Sequence, residues 1–396
     1  MTSQALSERV DKLRRRFRRQ SEFARGYSPL YARLFGLIAD WMDADTGVDP
    51  LVDWLVHAAA GRASFDVPLV LMAGLHREIL HGSANVSELA AFFPTVGGTL
   101  QAEDAALPGA LRTALFACQS LLEQDLRSET VQTNETGRGL CWLLPVLYPR
   151  WQAVHLVELG ASAGLNLAAD YRSYRLLGQD NRPLLDLNFH QNDPAQFSIR
   201  CQGVLSPPAR AALPRLLSRT GCDLHPCTLS SKADERRLAS FIWGDQAGRL
   251  ASLEQGIAAL QAVKATGAPV QLHQANLPNE LIPFLNRQVA PADEQPIVLF
   301  NTYLTTYLHD KGASLRPILA SWAAQRRNPL LWLQWETLWE GPEPPHFGWI
   351  GWTADLWWRD EHRSWHLAWV HPHGNEVLWR DDLNRWAAFW RKAETI

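Results

Sequence analysis

The feature that most constrains this chain is an apolar run that ends in a glycine turn, within residues 154–167. Residues 154–159 are long enough for a buried strand and too short for a helix. The chain then turns through Gly160 and Gly164, and residues 165–171 have the pattern of the first turns of a helix. This order is typical of a nucleotide-type site in an α/β protein, because the glycines let a ligand approach and the helix begins with unpaired N–H groups.

The turn fits three interpretations. Because Glu158 precedes the turn, its pattern Glu-x-Gly-x-x-x-Gly resembles the first motif of class I S-adenosylmethionine-dependent methyltransferases, where the acid faces the amino-acid end of the cofactor. With Ser162 at its centre, the turn also fits the Gly-x-Ser-x-Gly nucleophile elbow of α/β-hydrolases. The third interpretation is a tight turn without a ligand. The dinucleotide fingerprint fits less well, because Ser162 occupies the place of its second glycine.

Composition restricts the class of protein. The chain has 396 residues, enough for two or three domains or for one large domain with an extension, and 46% of them are apolar. The net charge of −3 gives no general attraction to nucleic acid or to an anionic membrane. The sequence lacks an apolar run of about 18 residues, and its five cysteines include no Cys-x-x-Cys pair. We therefore expect a cytoplasmic protein with reduced thiols that binds neither nucleic acid nor a membrane.

The first 150 residues have mostly helical spacing and predict a helical cap or lid domain. An arginine-rich run at residues 14–19 would suit a phosphate patch, but a solvated helix face explains it more simply. The later helical segments are separated by Pro and Gly and lie at residues 29–42, 50–60, 66–82, 86–93 and 106–127.

A polar run at residues 131–138 stands directly before an apolar helical segment, 140–147, and just upstream of the glycine turn. Helix capping by Thr133 or Asn134, with an acid in the first turn, explains only part of this run. The other side chains mix donors and acceptors, which suits a polar ligand. We therefore predict that the run lies over the glycine turn and binds substrate through Gln132, Asn134, Glu135 and Arg138.

The polar run and the glycine turn together carry a family resemblance. Val-Gln-Thr-Asn-Glu-x-Gly-Arg at 131–138, with Glu-Leu-Gly-Ala-Ser-Ala-Gly-Leu-Asn-Leu at 158–167, resembles the DUF2332 family of bacterial proteins. The resemblance extends over roughly residues 20–380 and implies a methyltransferase-like Rossmann core, without an activity. The chain departs from the family pattern at Cys227 and Thr228, where relatives usually carry Leu and Asp. Further matches are Leu75-His76-Arg77, Phe93-Pro94, Asp170-Tyr171, Ile242-Trp243-x-Asp245-Gln246 and His371-Pro372-His373-Gly374.

The second strand of the predicted sheet has two candidates, residues 173–177 and residues 222–226. Each offers an acid that would accept hydrogen bonds from ribose hydroxyls, Asp180 or Asp223. We prefer Asp223, because the stretch near 178–220 then becomes an insertion. Later apolar runs predict strands at 269–273, 296–300 and 330–335, an antiparallel pair at 349–358 and 365–370, and a last strand at 375–379.

In open α/β sheets ligands bind outside the carboxyl ends of the strands, so the residues that follow these strands should converge. Tyr303 and Tyr307 follow the fourth strand and would contact substrate, although packing at i and i+4 explains them equally well. The predicted cofactor-binding residues are Glu158, Gly160, Ser162, Gly164, Asn166, Asp223, Ala275, Asn276 and Asn301.

The sequence therefore predicts an α/β fold: a helical domain at 1–150 and, at 151–396, a Rossmann-like, mostly parallel sheet with antiparallel C-terminal strands. The predicted function is S-adenosylmethionine binding with methyl transfer to a small molecule, Glu158 holding the methionine ammonium group and Asp223 the ribose. One alternative is a serine hydrolase with Ser162 as nucleophile and His371 or His373 as base. The other is a binding module without catalysis. We predict no metal site.

Overall fold

The computed structural model describes residues 3–43, 49–63, 66–132, 135–190, 196–289 and 295–393. Two compact units divide the chain. The first comprises Met1–Thr133 and Leu229–Ala251, and the second comprises Asn134–Thr228 and Ser252–Ile396. The predicted boundary was a single cut at residue 150, whereas a segment near the middle of the chain belongs to the first unit.

The α-helices begin and end close to the Pro and Gly residues of the sequence, and the described part of the first unit contains helices and no strands. None of the described helices is long and apolar enough to cross a membrane. The helices are α1 (Ser3–Ala24), α2 (Pro29–Trp41), α3 (Pro50–Ala58), α4 (Val67–His81), α5 (Ser87–Ala90), α6 (Leu107–Ala117), α7 (Gln119–Ser128), α8 (Leu140–Leu143), α9 (Lys232–Ala239), α10 (Ala247–Ala265), α11 (Leu281–Gln288), α12 (Leu315–Ala323) and α13 (Asp382–Lys392).

The predicted helices of the first unit are confirmed with small changes. The segment predicted at 106–127 breaks at Cys118 into α6 and α7. Helix α2 begins at Pro29, and the Ser28 hydroxyl caps it by accepting the Tyr31 N–H at 3.2 Å. Two arginines of the run at 14–19 form surface ion pairs: Arg14 with Asp11 and Asp43, and Arg18 with Asp40 and Asp43.

The second unit is built on one sheet, which has eleven strands in the described residues. Their order across the sheet is β3-β2-β4-β11-β10-β9-β8-β7-β1-β5-β6. The strands are β1 (Ala153–Leu159), β2 (Ser173–Leu177), β3 (Pro183–Leu187), β4 (Gln196–Gln202), β5 (Arg215–Asp223), β6 (Gln271–Gln274), β7 (Ile297–Thr302), β8 (Leu330–Glu336), β9 (Ile350–Trp358), β10 (Glu361–Val370) and β11 (Glu376–Trp379).

Five neighbouring strands, in the order β6-β5-β1-β7-β8, are parallel. Strands β9, β10 and β11 then continue the sheet as an antiparallel meander. The predicted mixed α/β fold with a large, mostly parallel sheet is therefore confirmed. The predicted insertion near 178–220 contains β3 and β4, which join β2 at the far edge of the sheet, while β5 pairs with β1.

The two faces of β1 pack against different layers, since successive side chains of a strand point to opposite sides. Val154 and Leu156 belong to a core formed with residues 140–151 and with α13. Val157 and Leu159 belong to a second core with α11 and α12. Glu158 shares the face of Leu156 and therefore points towards the layer that contains α8.

Two predicted helices are wrong in detail. The glycine turn is followed by a 3-10 segment, Leu165–Tyr171, in which Ala168 leaves helical geometry, so no regular α-helix starts there. The apolar segment at 140–147 is the short helix α8 followed by a 3-10 turn, Pro145–Leu147. Both segments are short and buried on all sides, so the core decides their geometry rather than helix propensity.

Candidate functional site

The glycine turn closes tightly over the end of the neighbouring strand β5. The backbone N–H groups of Gly160 and Ala161 both donate to the Cys222 carbonyl, at 2.8 and 2.9 Å. Gly160 and Gly164 have φ of +73° and +72°, which only glycine adopts without strain. A Cβ atom on Gly160 would also lie 3.0 Å from the Leu304 side chain. The turn therefore requires glycine at residue 160 for its own geometry, and Leu304 lies over it.

Asp223, at the end of β5, stabilises this turn through hydrogen bonds. One carboxylate oxygen accepts the Ser162 N–H at 2.8 Å, and the other accepts the His225 N–H at 2.9 Å. The Asp223 carbonyl accepts the N–H of Ala275, at 2.9 Å, so the ends of β1, β5 and β6 are connected through one residue. Each carboxylate oxygen has a second lone pair, so Asp223 retains capacity to accept from a ligand.

Glu158 is buried rather than placed at an open edge, with 1% of its surface exposed. Burial raises the pKa of its carboxyl group well above the ordinary range, and the negative charge of Asp223 raises this pKa further. A hydrogen bond with Asn166 and the positive charge of Arg138 oppose these effects. Its Oε2 atom is buried without a hydrogen-bond partner among the described residues. Glu158 is therefore favoured in its neutral form and has one unused polar atom.

A second buried acid organises the loop after β7. Glu336, the last residue of β8, accepts hydrogen bonds from the Asn301 amide at 2.7 Å, from the Leu304 N–H at 2.7 Å and from both the N–H and the hydroxyl of Thr305. The Asn301 carbonyl oxygen accepts the Trp332 indole N–H at 2.6 Å. Both polar groups of the Asn301 side chain are therefore bonded inside the protein, where they position the loop.

Sequence reasoning missed Glu336, although the signal was available. It is an acid at the end of a buried strand, as Glu158 is. Burial raises the pKa of Glu336, and the hydrogen bonds from Asn301, Leu304 and Thr305 lower it in part. Both carboxylate oxygens of Glu336 accept hydrogen bonds from this loop, so the function of Glu336 is to hold the loop in place.

Arg138 connects the polar run to the carboxyl end of β7. Its guanidinium is buried, lies 4.6 Å from the centre of the Tyr303 ring, and donates from Nε to the Pro372 carbonyl at 3.0 Å. Glu135 is also buried, and its carboxylate lies 3.3 Å from Nδ1 of His373. The turn between β10 and β11, which contains Pro372 and His373, therefore packs on residues 135–138.

The other predicted substrate residues have different positions. Asn134 lies outside the described residues, as does Thr133. Gln132 belongs to the first compact unit, where its amide donates to the Thr130 hydroxyl at 3.2 Å. Tyr307 is 57% exposed beyond the loop after β7.

The loop after β6 offers an accessible side chain. Asn276 is exposed, and its backbone N–H donates to the Glu280 carboxylate at 2.6 Å. Asn276 follows Ala275, whose N–H is bonded to Asp223. Among the described residues, no group of three or more His, Cys, Asp or Glu side chains is arranged to hold a metal ion.

The chain matches the family described as "Uncharacterized protein conserved in bacteria (DUF2332)" over residues 14–379. The chain belongs to this family. Comparison with curated proteins gave no match, and comparison with solved structures gave none.

Some of the sequence matches to DUF2332 have structural roles in the first unit. The Trp243 ring is stacked between the rings of Tyr27 and Tyr31, with centroids 5.3 and 4.9 Å away. The Asp245 carboxylate accepts the Ser28 hydroxyl at 2.7 Å. In this DUF2332 protein the Ile-Trp-x-Asp-Gln motif therefore fixes the start of α2, while residues 135–138 and 158–167 of the other two motifs lie at the candidate site.

Proposed function

We propose that the protein binds S-adenosylmethionine at the carboxyl ends of β1 and β7 and transfers its methyl group to a small molecule. The observation that carries this proposal is the strand order. After β1 the chain forms β2, β3 and β4 at the far edge of the sheet. It then adds β5 and β6 on one side of β1, and β7 and β8 on the other side. The order reverses between β1 and β7, and open α/β sheets bind their ligands at such a reversal.

The residues at this position fit the cofactor. Asp223 would accept the ribose hydroxyls through its remaining lone pairs, and Asn276 would contact the adenine edge. The segment after the glycine turn is a 3-10 segment of seven residues rather than an α-helix. S-adenosylmethionine carries no phosphate, so it does not need the α-helix N-terminus on which dinucleotide sites rely.

Glu158 gives the proposal a specific chemical consequence. A neutral carboxyl group does not attract the methionine ammonium ion, whereas an ionised one does. The cofactor's positive charge would therefore lower the Glu158 pKa and expel its proton on binding. The unused Oε2 atom would gain a partner in the same step.

Methyl transfer from a sulfonium ion requires alignment more than acid–base catalysis. The protein's contribution would be to hold the acceptor in line with the methyl group and to exclude water. Two buried polar side chains would bind the methyl acceptor. They are Arg138, which lies beside Tyr303, and Glu135, which lies beside His373.

Calorimetry tests the proposal. Titration with S-adenosylmethionine near pH 6, repeated in buffers with different heats of ionisation, should show binding with net release of protons. Glu158→Gln should abolish the proton release. Asn276→Ala should weaken binding about tenfold, or about 1.4 kcal/mol. Asn279→Ala, an exposed asparagine three residues further on, is the matched control and should bind normally. Absence of binding at millimolar ligand would refute the proposal.

One observation favours a second candidate, the serine hydrolase. Ser162 has φ of +46°, and a strained serine between two glycines is a property of the nucleophile elbow. A fluorophosphonate probe distinguishes the two candidates. Labelling of wild type that is lost in Ser162→Ala would establish the hydrolase, whereas we expect no labelling of Ser162.

A further inference from the structure

A buried arginine, Arg172, stands between the 3-10 segment Leu165–Tyr171 and β2. Only 2% of its surface is exposed. Its Nη2 atom donates to the Ser252 hydroxyl at 3.1 Å and to the Gln255 side-chain oxygen at 3.2 Å, and both of these partners are neutral. Its Nε and Nη1 atoms are buried without a hydrogen-bond partner among the described residues.

The other described groups around Arg172 are neutral as well. The rings of Tyr174 and Phe197 lie beside the guanidinium, at 5.7 and 5.6 Å from their centroids. The Thr136 hydroxyl donates to the Ser252 carbonyl at 2.9 Å and lies 3.3 Å from the Ser252 hydroxyl. An arginine keeps its charge in a protein, so this cation is buried among dipoles and rings.

The nearest acid in sequence is already paired. Asp170 accepts two hydrogen bonds from Arg219, at 2.5 and 2.6 Å, and its carboxylate lies 3.4 Å from His190. A buried cation without an anionic partner is strongly unfavourable, and arginine donates charge-assisted hydrogen bonds to carboxylate and phosphate. Among the described residues, Nε and Nη1 of Arg172 have no acceptor. These two groups point to different sides of the guanidinium, so an oxyanion would accept from one of them.

We propose that Arg172, with Ser252 and Thr136, forms a binding site for an oxyanion, the carboxylate or phosphate group of a small molecule. The guanidinium supplies the positive charge and an N–H donor, and the Ser252 hydroxyl can donate as well. The Thr136 hydroxyl donates to the Ser252 carbonyl at 2.9 Å and so positions Ser252. This site does not depend on S-adenosylmethionine, and it would select an anionic ligand.

The test is thermal melting at constant ionic strength in sodium chloride, phosphate or succinate, without S-adenosylmethionine. Wild type should melt several degrees higher in phosphate or succinate than in chloride. The anion with the larger shift assigns the phosphoryl or the carboxylate class. Arg172→Met should lose this shift and should melt in chloride no lower than wild type, because it removes an uncompensated charge.

Arg219→Met is the matched control, because it removes a buried arginine that has a carboxylate partner. This variant should melt well below wild type in chloride and should keep the anion shift. Two results would overturn the site: no oxyanion shift in wild type, or a melting loss in Arg172→Met as large as that in Arg219→Met.

Asp193 provides a further check. It lies outside the described residues, three positions before Gln196, whose strand partner is Ser173. Asp193→Asn should keep the wild-type anion shift. A shift that occurs in Asp193→Asn and not in wild type would show that the chain supplies its own counter-ion, and this would overturn the proposal.

Discussion

The Asp223 carboxylate accepts the backbone N–H of Ser162 at 2.8 Å, so the acid that ends β5 holds the glycine turn that follows β1. The acid we assign to the ribose is thus also part of the structure that shapes the site. A ligand that uses Asp223 would meet a group whose position is already fixed, which reduces the entropy lost on binding.

Replacement of Asp223 by Asn tests this double role. The amide offers one acceptor where the carboxylate offers two, so either the Ser162 or the His225 N–H loses its partner. We expect a loss of about 1–3 kcal/mol in the free energy of unfolding, measured by urea denaturation, and weaker binding of S-adenosylmethionine.

Asp180→Asn is the control for that experiment. Asp180, the alternative ribose acid, lies in the turn between β2 and β3 and pairs with exposed Arg182. We expect a change below about 0.5 kcal/mol and normal cofactor binding. Equal effects of the two substitutions would contradict the assignment of Asp223.

Glu158 should make stability depend on pH. Since burial raises its folded pKa, the folded protein holds a proton that the unfolded chain releases above a pH of about 4.3. The contribution of Glu158 to the free energy of unfolding is therefore fully present below a pH of about 4.3. It falls by about 1.4 kcal/mol per pH unit as the pH rises from there towards the folded pKa. Urea denaturation of wild type and Glu158→Gln should therefore agree near pH 4 and diverge as the pH rises to 8, with the variant the more stable.

Glu336→Gln gives the contrasting case. Its amide would place N–H donors against the donors of Asn301, Leu304 and Thr305, so we expect destabilisation by about 2–4 kcal/mol near pH 5. Because burial also raises the pKa of Glu336, this loss should become smaller as the pH rises. A Glu158→Gln effect that has the same sign as the Glu336→Gln effect, and is independent of pH, would show that Glu158 is ionised in the folded protein.

Arg138→Lys should weaken the packing of the polar run. Lysine keeps the charge but loses the Nε–H donated to Pro372 and the planar contact with Tyr303. We expect a loss of about 1–3 kcal/mol in unfolding free energy, measured by urea denaturation. Arg175→Lys, at an exposed pair with Asp186, should change stability by less than about 1 kcal/mol. Similar losses in the two variants would contradict a special role for Arg138.

Much of the fold could be predicted because the strands are short apolar runs between turn residues. Strands β7 and β8 lie within two residues of the predicted runs at 296–300 and 330–335. The position of β2 in the sheet could not be predicted. It follows β1 in the sequence, but strands that follow each other in sequence need not be neighbours in the sheet. The sequence offered residues 173–177 and 222–226 as neighbours of β1, and only pairing shows that β5 is the neighbour.

The candidate site was harder to predict than the fold. The glycine turn and its acid were visible as a pattern, but the burial of Glu158 depends on the layer that covers its face of β1. That layer comes from residues 140–151, and the sequence does not show that this preceding segment folds back over β1. Asn301 likewise follows a strand as a ligand residue would, yet its side chain is bonded to Glu336 and Trp332.

The central claim is that the cofactor binds at the carboxyl ends of β1 and β7. Hydrogen–deuterium exchange, followed by mass spectrometry with and without millimolar S-adenosylhomocysteine, tests it most directly. We predict slower exchange in peptides covering residues 158–167 and 301–308, with no change in β10, residues 361–370. Unchanged exchange in both of the first two segments, or protection confined to other parts of the chain, would contradict the claim.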